Sequence, residues 1–595
     1  MASPEDRKER AMSRERKHII IRFAIFAPML IAMAIMIRPI TAGAWTWYKP
    51  WTWPIVERAY YTVKDIFIDP SEECPPDDQM MARVMVDGEE GTRDFYSQTA
   101  IAWNYAVARA VTGKKVIVKL EADWRGRDRL MRTQYPSPVE GGSGPDRAWL
   151  ILHKYDMGAD MRYKDIPYLN STSKDYVDAF QDGGILVPEG CDITIDLNGQ
   201  TINRKADFEY IDDGEVIHVK KGAKLTIVDS DPDKYNEGNS YRGGYIQGGS
   251  STNGAGAIQI KNGAKVYIEG GTFFQNSTSN DGGAIKIDGE DAELHIDGTT
   301  FVGNFSRTAV ISSNYGGAIA GFSSTIDIRN AIFEKNIADD RGGAIYNDSC
   351  KLNMINCEFT GNSTDGDGGA LYLGSSRDDP RMMINKINCR YNKADEGGAI
   401  YFNTDGATDV FDSRILLCNA KRGGGIYVNK KGVCLINLEV TDNVALDRAG
   451  GIYVDSMADL NLAGEVRVEE NTATIDYSVR NSNVVLQDGN ASRAIINNGG
   501  LTEGSRIGVS STKSNLDNIP VCSNLSDFAT KYFISDESGY RLAIRDGQYE
   551  TGSYVASMVG GNMVILIVLL SVVAVAGIVL TVIVIRRRKA KNDIR

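Results

Sequence analysis

Paired carboxylates are the residues of this chain whose types and spacing are best suited to chemistry. The chain of 595 residues holds 78 Asp and Glu residues, and Asp339–Asp340 and Asp378–Asp379 are adjacent pairs. General acid–base catalysis needs titratable groups that are held within reach of one bond. Both pairs fall in segments predicted to be loops and have no aligned basic partner. We therefore expect them to be solvated surface residues.

A second arrangement of carboxylates suggests a cation site. In Asp365-Gly366-Asp367-Gly368 two carboxylates alternate with glycines, as in half of a calcium-binding loop. The remaining ligands of such a loop do not follow, so Asp365 and Asp367 are weak calcium candidates, and no cofactor is predicted. The eight cysteines contain no Cys-x-x-Cys pair, which argues against zinc and favours buried, unbridged thiols.

A repeat dominates the middle of the chain and must position all of these groups. Two glycines, or Ala and Gly, precede a small residue and then Ile or Leu in seven copies spaced 26 to 34 residues apart. A repeat of this length without helix signals indicates a solenoid of stacked β-coils. The copies begin at Gly282, Gly316, Gly342, Gly368, Gly397, Gly423 and Ala449.

A second signature, an apolar residue followed three positions later by Asn, precedes the glycines. Asn tolerates left-handed backbone angles and bonds its own backbone in turns, and stacked copies can bond one another as a ladder. Eight copies predict that ladder. They are Phe273 with Asn276, Phe301 with Asn304, Phe333 with Asn336, Phe359 with Asn362, Cys389 with Asn392, Leu416 with Asn419, Val440 with Asn443 and Val468 with Asn471.

One repeat position carries a file of tyrosines directly after the Ile or Leu. Because strand residues alternate between faces, the Ile or Leu is expected inside and the tyrosine outside, with rings ~4.8 Å apart. Such a file suits sugar or protein binding, or it is an aromatic stack that stabilises the sheet. Its members are Tyr346, Tyr372, Tyr401, Tyr427 and Tyr453.

The two signatures together resemble the repeats of the polymorphic outer-membrane protein family, whose members are β-helical surface adhesins. Residues 186–190 and 193–199 resemble the first coil of β-helix surface proteins of the pectate-lyase-like superfamily. The resemblance implies an all-β fold, a right-handed parallel β-helix with a small α/β N-terminal cap. It also implies a binding role at a cell surface. No C-terminal β-barrel pattern follows the repeats, which departs from the family.

The pectate-lyase-like superfamily also contains enzymes that cleave polysaccharides. Asn403-Thr404-Asp405 is similar to one polygalacturonase motif, but that family also needs a histidine between two glycines. None of the four histidines, His18, His153, His218 and His295, has glycine on both sides. We therefore predict that the chain is not an enzyme.

Membrane segments are predicted at both ends of the β-helix. Residues 563–585 carry no charge over a length that spans a bilayer. The basic cluster from Arg586 to Lys591 follows, which predicts a cytoplasmic C-terminus and an extracellular β-helix. Residues 18–44 form a signal peptide cleaved after Ala44 or an uncleaved signal anchor. The aromatic residues that follow favour the anchor.

The predicted organisation is therefore a cell-surface ectodomain between two membrane segments. The formal charge of the chain is −12, and the ectodomain alone is more negative because both ends are basic. This charge disfavours nucleic acid and leaves the membrane and an extracellular glycan or protein as partners. An adhesin or a binding or structural role in the cell envelope is the favoured function. A polysaccharide lyase or glycoside hydrolase and a structural subunit of a membrane complex are the alternatives.

The predicted parts of the chain are a basic tail (1–17), the first membrane segment (18–44), a juxtamembrane segment (45–79), an α/β cap with an irregular loop (80–184), the β-helix (185–510), a β cap (511–555), a transmembrane helix (563–585) and a second tail (586–595).

Overall fold

The computed structural model of the chain describes a β-solenoid with short β-rich segments at both ends. The described residues are 80–96, 99–125, 185–204, 214–236, 241–308, 314–375, 381–487, 495–512, 520–525, 529–546 and 554–560. The predicted membrane segments 18–44 and 563–585 and the segments 1–17, 45–79 and 586–595 lie outside these residues. Within the described part of the chain, no helix combines the length and apolar character needed to cross a membrane.

The solenoid has about 11 turns, which confirms the predicted all-β, β-helical fold. Each coil contributes one strand to each of three parallel sheets, and each strand pairs with its equivalent in the next coil. Two strands, Thr408–Leu416 and Val433–Thr441, run without interruption from the second sheet into the third.

The first sheet begins after the glycine motif. Its core-facing residues follow the predicted inward phase, so Ile345 pairs with Leu371 and both are fully buried. The strands are Ile185–Val187, Ile217–Val219, Ile258–Ile260, Ile285–Asp288, Ile319–Phe322, Ile345–Asp348, Leu371–Ser375, Ile400–Thr404, Ile426–Val428, Ile452–Val454 and Val484–Leu486.

The second sheet alternates buried apolar and outward polar residues, as period-two patterning requires. Beyond the two continuous strands, its members are Lys115–Leu120, Asp192–Asp196, Lys224–Val228, Lys265–Glu269, Glu293–Asp297, Thr325–Arg329, Lys351–Ile355, Met382–Asn385, Leu460–Gly464, Ile495–Leu501 and Pro520–Leu525.

The third sheet places one large apolar residue per coil in the core. Phe273, Phe301, Phe333 and Phe359, all members of the apolar-x-x-Asn signature, stack with ring centroids 4.8–5.0 Å apart. The strands are Trp124–Arg125, Thr201–Asn203, Tyr245–Gln247, Thr272–Phe274, Thr300–Val302, Ile332–Glu334, Glu358–Thr360, Asn388–Arg390, Arg467–Glu469, Arg506–Ser511 and Phe533–Ser535.

Two smaller sheets lie between the third sheet and the first. One is formed by Ser250–Ser251, Ser277–Thr278, Phe305–Ser306, Ile337–Ala338 and Ser363–Thr364. The other is formed by Asn419–Arg422, Val444–Arg448, Thr472–Ile475 and Ser478–Asn481, the last strand being antiparallel.

The glycine motif makes the turn back into the first sheet. Gly342 has φ of 65°, in the left-handed region that glycine adopts without strain. A Cβ on Gly343 would lie 2.1 Å from the carbonyl oxygen of Gly369 in the next coil. The first glycine therefore sets the turn, and the second allows neighbouring backbones to approach.

The N-terminal segment closes one end of the core. Strand Met80–Val86 pairs antiparallel with Arg93–Tyr96 and with Lys115–Leu120, and the latter runs parallel to Asp192–Asp196. Helix α1, Thr99–Ala110, lies in the segment 80–184 that was predicted to hold an α/β cap. The indole N–H of its buried Trp103 donates to the carbonyl oxygen of Leu186 at 3.1 Å, which ties the helix to the first coil.

The C-terminal segment after the coils is short and mainly β. A 3₁₀ helix, Ala529–Tyr532, precedes strand Phe533–Ser535, and strands Tyr540–Asp546 and Tyr554–Gly560 pair antiparallel.

Six of the cysteines in the described residues are free thiols. Cys191, Cys350, Cys357, Cys389 and Cys418 are buried, as predicted, and Cys434 is half-buried. Burial raises the pKa of Cys350 and Cys357 to about 11, so these thiols stay protonated and pack as small apolar side chains.

Candidate functional site

The tyrosine file forms a continuous stack on the face of the first sheet opposite the core. We call Tyr346, Tyr372, Tyr401, Tyr427 and Tyr453 the tyrosine column. Neighbouring ring centroids lie 4.9–5.3 Å apart with nearly parallel planes. Tyr315 extends the stack at one end, 4.3 Å from Tyr346.

The rings of the tyrosine column are buried, which corrects the expectation of an outward, accessible file. Their exposed fractions are only 3–7%. The alternation of the strand places them on the side predicted, but each ring face lies against the next ring and other residues cover the column. This geometry favours the sheet-stabilising stack. Binding through these five tyrosines stays a prediction.

The cover is formed by charged residues that come directly before the glycine motif. Arg341, Asp367, Glu396 and Arg422 occupy the same position in four consecutive coils and pair through isolated backbone bridges. We call these four residues the charged column. Arg448 continues it in the next coil.

The two arginines of the charged column lie over the tyrosine rings. The Arg341 guanidinium is 5.1 Å from the Tyr372 ring centroid, and that of Arg422 is 5.4 Å from the Tyr453 ring centroid. Cation–π contacts of this kind attract the guanidinium to the ring face and exclude water from it. The two arginines therefore cover part of the tyrosine column.

Two polar groups satisfy tyrosine hydroxyls at the edge of the column. The Tyr427 hydroxyl donates to Oδ2 of Asp455 at 2.8 Å, and Nδ2 of Asn403 donates to the Tyr372 hydroxyl at 2.8 Å. Asn403, part of the polygalacturonase-like triplet, thus hydrogen-bonds a side chain of the tyrosine column. Burial raises the pKa of Tyr346, Tyr401 and Tyr427, so these phenols stay neutral and are poor nucleophiles or bases.

The carboxylates of the charged column are in unusual environments. Burial, and next the negative charge of Glu396, raises the pKa of Asp367 to about 7. Burial also raises the pKa of Glu396, although Arg422 opposes that shift. Asp367 can therefore hold or release a proton near neutral pH.

The two calcium candidates contact different arginines. Asp365 is exposed, and its Oδ2 lies 3.6 Å from Nη2 of Arg307. Asp367 Oδ2 lies 3.7 Å from Nε of Arg341. Each carboxylate thus has a basic neighbour of its own, and calcium binding by this pair stays a prediction. Of the paired carboxylates, Asp339 contacts Arg307 at 2.9 Å, and Asp378–Asp379 lie outside the described residues.

A buried asparagine ladder runs parallel to the columns, at the corner after the third sheet. Its predicted members Asn276, Asn304, Asn336, Asn362, Asn392, Asn443 and Asn471 are fully buried. Each rung uses one amide: in Asn336, Nδ2 donates to Oδ1 of Asn362 and to the carbonyl oxygen of Phe301, both at 3.0 Å. The backbone N–H of Asn336 donates to the same Oδ1. The predicted ladder is confirmed at these seven positions.

The eighth predicted rung, Asn419, is wrong. Ile415 faces the core in register with Cys389, so the third position after it is Cys418. The Cys418 backbone N–H donates to Oδ1 of Asn443 at 2.9 Å, and its thiol lies 3.8 Å from Nδ2 of Asn392. Asn419 begins a strand of the smaller sheet instead. Choosing Leu416 as the core residue shifted the pattern by one.

The sequence pattern also missed where the left-handed backbone lies. In the ladder corner the positive φ belongs to the residue before each Asn, as at Lys335 with 54° and Tyr391 with 56°. Asparagines do take this conformation at a second corner, between the second and third sheets. There an exposed corner column has φ between 46° and 56° at Asn330, Asn356, Lys386, Asp412 and Asn437.

A buried Glu–His pair was also missed. Nδ1 of His218 lies 2.5 Å from Oε1 of Glu215, which is almost fully buried. Burial alone would raise the pKa of Glu215, but the hydrogen bond and charge of His218 outweigh it and lower that pKa. This pair is hard to predict from the sequence, because neither residue is part of the repeat.

The repeat matches a known family. The model of the Chlamydia polymorphic membrane protein repeat matches residues 330–348 and 356–374. Each matched segment contains one ladder Asn, one glycine motif and one strand of the first sheet. No curated protein and no solved structure matches the chain. The fold is that of a β-helix protein, and its two matched segments are similar to the repeats of polymorphic membrane proteins.

Proposed function

We propose that the chain is a cell-surface protein that displays its β-helix outside the cell, as an adhesin or a binding element of the cell envelope. The observation that supports this most directly is the match of two consecutive coils to a polymorphic membrane protein repeat. The matched features recur in the coils on both sides of these two segments.

The proposed anchorage rests on the sequence of the two ends. The uncharged residues 563–585 support a membrane segment, and the basic cluster from Arg586 to Lys591 supports a cytoplasmic C-terminus. Protease added to intact cells should cut the coils and spare a C-terminal tag. Loss of the tag in intact cells would contradict this orientation.

The proposed partner is an extracellular glycan or protein, and the proposed mode is binding without catalysis. The net negative charge repels phosphate backbones and disfavours nucleic acid. Asp339, Asp367 and Glu396 each contact an arginine within the coils, as expected of residues that stabilise the stack. Binding to a glycan and surface-protein array should occur, and polysaccharide cleavage by the same preparation would contradict the proposal.

A structural role of the coils is the second candidate, and the burial of the tyrosine column favours it. Replacing Tyr372, Tyr401 and Tyr427 together by Thr keeps β-propensity and removes the stack. If the column binds the partner, binding is lost while the melting temperature falls only a few degrees.

If the column is structural, the triple variant melts well below the wild type, because three buried aromatic side chains are lost. Binding measured below that melting temperature is then unchanged. Tyr235→Thr is the matched control, because Tyr235 is exposed and outside the column. It should alter neither property.

A further inference from the structure

A lysine, an asparagine and an aspartate meet at one glycine corner of the early coils. Nζ of Lys286 lies 2.7 Å from Oδ2 of Asp281 and 3.3 Å from Oδ1 of Asn280. Lys286 belongs to strand Ile285–Asp288 and has the register position that Tyr346 has two coils later. Its side chain reaches back across the glycine corner to the two residues before the motif. One amine therefore contacts an amide and a carboxylate together.

The amide of Asn280 is held in place from several directions. Its Nδ2 donates to the carbonyl oxygen of Asn253 at 2.9 Å. Its backbone N–H donates to Oγ1 of Thr278 at 2.9 Å, and its carbonyl oxygen accepts from Oγ of Ser306 at 2.8 Å. These bonds fix the residue with its Oδ1 against the amine of Lys286. Two groups held in contact react much faster than the same groups free in solution.

The carboxylate of Asp281 is placed to exchange a proton with the amine. Its Oδ1 accepts from the backbone N–H of Tyr315 at 3.2 Å, while its Oδ2 contacts Nζ of Lys286. A carboxylate at 2.7 Å can take a proton from an ammonium group and return it.

The three groups are also shielded from water. The side chain of Lys286 is 16% exposed, less than the lysine of any other lysine–carboxylate pair in the described residues. The side chain of Asp281 is 13% exposed, and Nζ of Lys286 lies 5.3 Å from the ring centroid of Phe322. The aromatic ring and the glycine corner thus leave little room for water that would compete with the amine.

We propose that Lys286 and Asn280 form an intramolecular isopeptide bond, with Asp281 as the proton-transfer group. Asp281 takes one proton from the Lys286 ammonium, and the neutral amine attacks Cγ of Asn280. The Nζ–Cγ bond forms, Asp281 passes its proton to Nδ2, and the Cγ–Nδ2 bond breaks with release of ammonia. The attacking nitrogen gives a second proton to that ammonia, so the products are an amide and an ammonium ion. The Asp281 carboxylate is regenerated, and no oxidant or further reactant is needed.

The bond closes a covalent ring, residues 280–286, around the glycine turn. It joins the segment that follows strand Ser277–Thr278 of a smaller sheet to a strand of the first sheet. The corner then stays closed even when its hydrogen bonds open. Neither the proposed partner nor the proposed anchorage is needed for this reaction.

Mass spectrometry of the full chain, purified and then incubated at neutral pH, tests the bond. Loss of ammonia should make the chain lighter by about 17 Da. Trypsin does not cleave after a lysine whose amine is acylated, so the linked chain should yield one peptide, 266–307, that lacks this mass. An unlinked chain yields 266–286 and 287–307 instead.

Two variants and a control assign the roles. Lys286→Arg keeps the positive charge but lacks the amine, so it should retain its full mass. Asp281→Ala removes the proton-transfer group and should greatly reduce the fraction of linked chain. Lys265→Arg changes a more exposed lysine that is paired with Glu293, and it should lose ammonia as the wild type does.

The wild-type peptide map decides the matter even if a variant does not fold. A full-mass wild-type chain cleaved after Lys286 would mean that the three residues form an ion pair only, and would overturn the proposal. A cyclic imide at Asn280 also loses ammonia, but it leaves Lys286 open to trypsin. Ammonia loss with normal cleavage after Lys286, or ammonia loss that persists in Lys286→Arg, would equally overturn it.

Discussion

Two columns of stacked corner residues run along the same coils and differ in what they require of the sequence. In the buried asparagine ladder, side-chain amides bond the next rung and a carbonyl of the preceding coil. In the exposed corner column, Nδ2 of Asn356 likewise donates to Oδ1 of Asn330 at 2.7 Å. The bond type is the same, but the first column is out of water and the second is in it.

The difference appears in the residues that each column accepts. The ladder keeps Asn at every rung from Asn276 to Asn392, and only Cys418 departs from it before Asn443. The exposed column accepts Asn, Lys and Asp, which share only a left-handed backbone. Burial thus makes the amide itself necessary, because an unpaired polar group out of water is costly. In water, only the backbone conformation is selected.

Removing an aromatic ring next to the ladder should have the largest effect on stability. Phe359 is fully buried in the phenylalanine stack, and its carbonyl oxygen accepts from Nδ2 of Asn392. Phe359→Ala should lower the free energy of unfolding by ~3–5 kcal/mol, measured by urea denaturation. Ile332→Ala, at a partly exposed position of the same sheet, is the control and should cost much less. A loss under ~1 kcal/mol for Phe359→Ala would contradict the packing described.

Removing one rung should have the next largest effect. Asn362→Ala leaves the Phe333 carbonyl oxygen and the Asn336 amide without their partner. We expect a loss of ~1–3 kcal/mol in the free energy of unfolding. An unchanged urea midpoint would mean that the ladder bonds do not stabilise the coils.

At the exposed corner column, the stability of the chain should depend on the backbone conformation of the residue and not on its side-chain amide. Asn356 has φ of 56°, which Gly adopts freely and Ala does not. Asn356→Ala should therefore be less stable than Asn356→Gly by ~1–2 kcal/mol. Equal urea midpoints for the two variants would show that the left-handed backbone is not the constraint at this corner.

Much of the fold could be predicted because each repeated residue type meets a physical requirement of the coil. Gly342 and Gly343 mark a left-handed turn and a close backbone approach, and Phe333 with Asn336 marks a core layer and its corner. Where one residue of the signature was replaced, the predicted core and ladder positions were displaced by one residue. Near Leu416, three apolar residues in a row hid the core position Ile415 and the rung at Cys418.

The candidate site was predicted less well. Strand alternation shows which face Tyr372 occupies but not what covers that face. Arg341 comes from the turn of the preceding coil, and only the three-dimensional stack brings its guanidinium over the ring. Likewise, Asp367 was conspicuous as part of an Asp-Gly-Asp-Gly segment, whereas its environment depends on Glu396, a residue 29 positions later.

The contrast between the two columns is tested most directly by one paired measurement in the same coil. The free energy of unfolding of the full chain would be measured by urea denaturation for Asn362→Ala and for Asn356→Gly. Each change removes one stacked amide, the first buried and the second exposed. The account predicts a loss of ~1–3 kcal/mol for Asn362→Ala and a change within about 0.5 kcal/mol for Asn356→Gly. Equal losses in the two variants would contradict it.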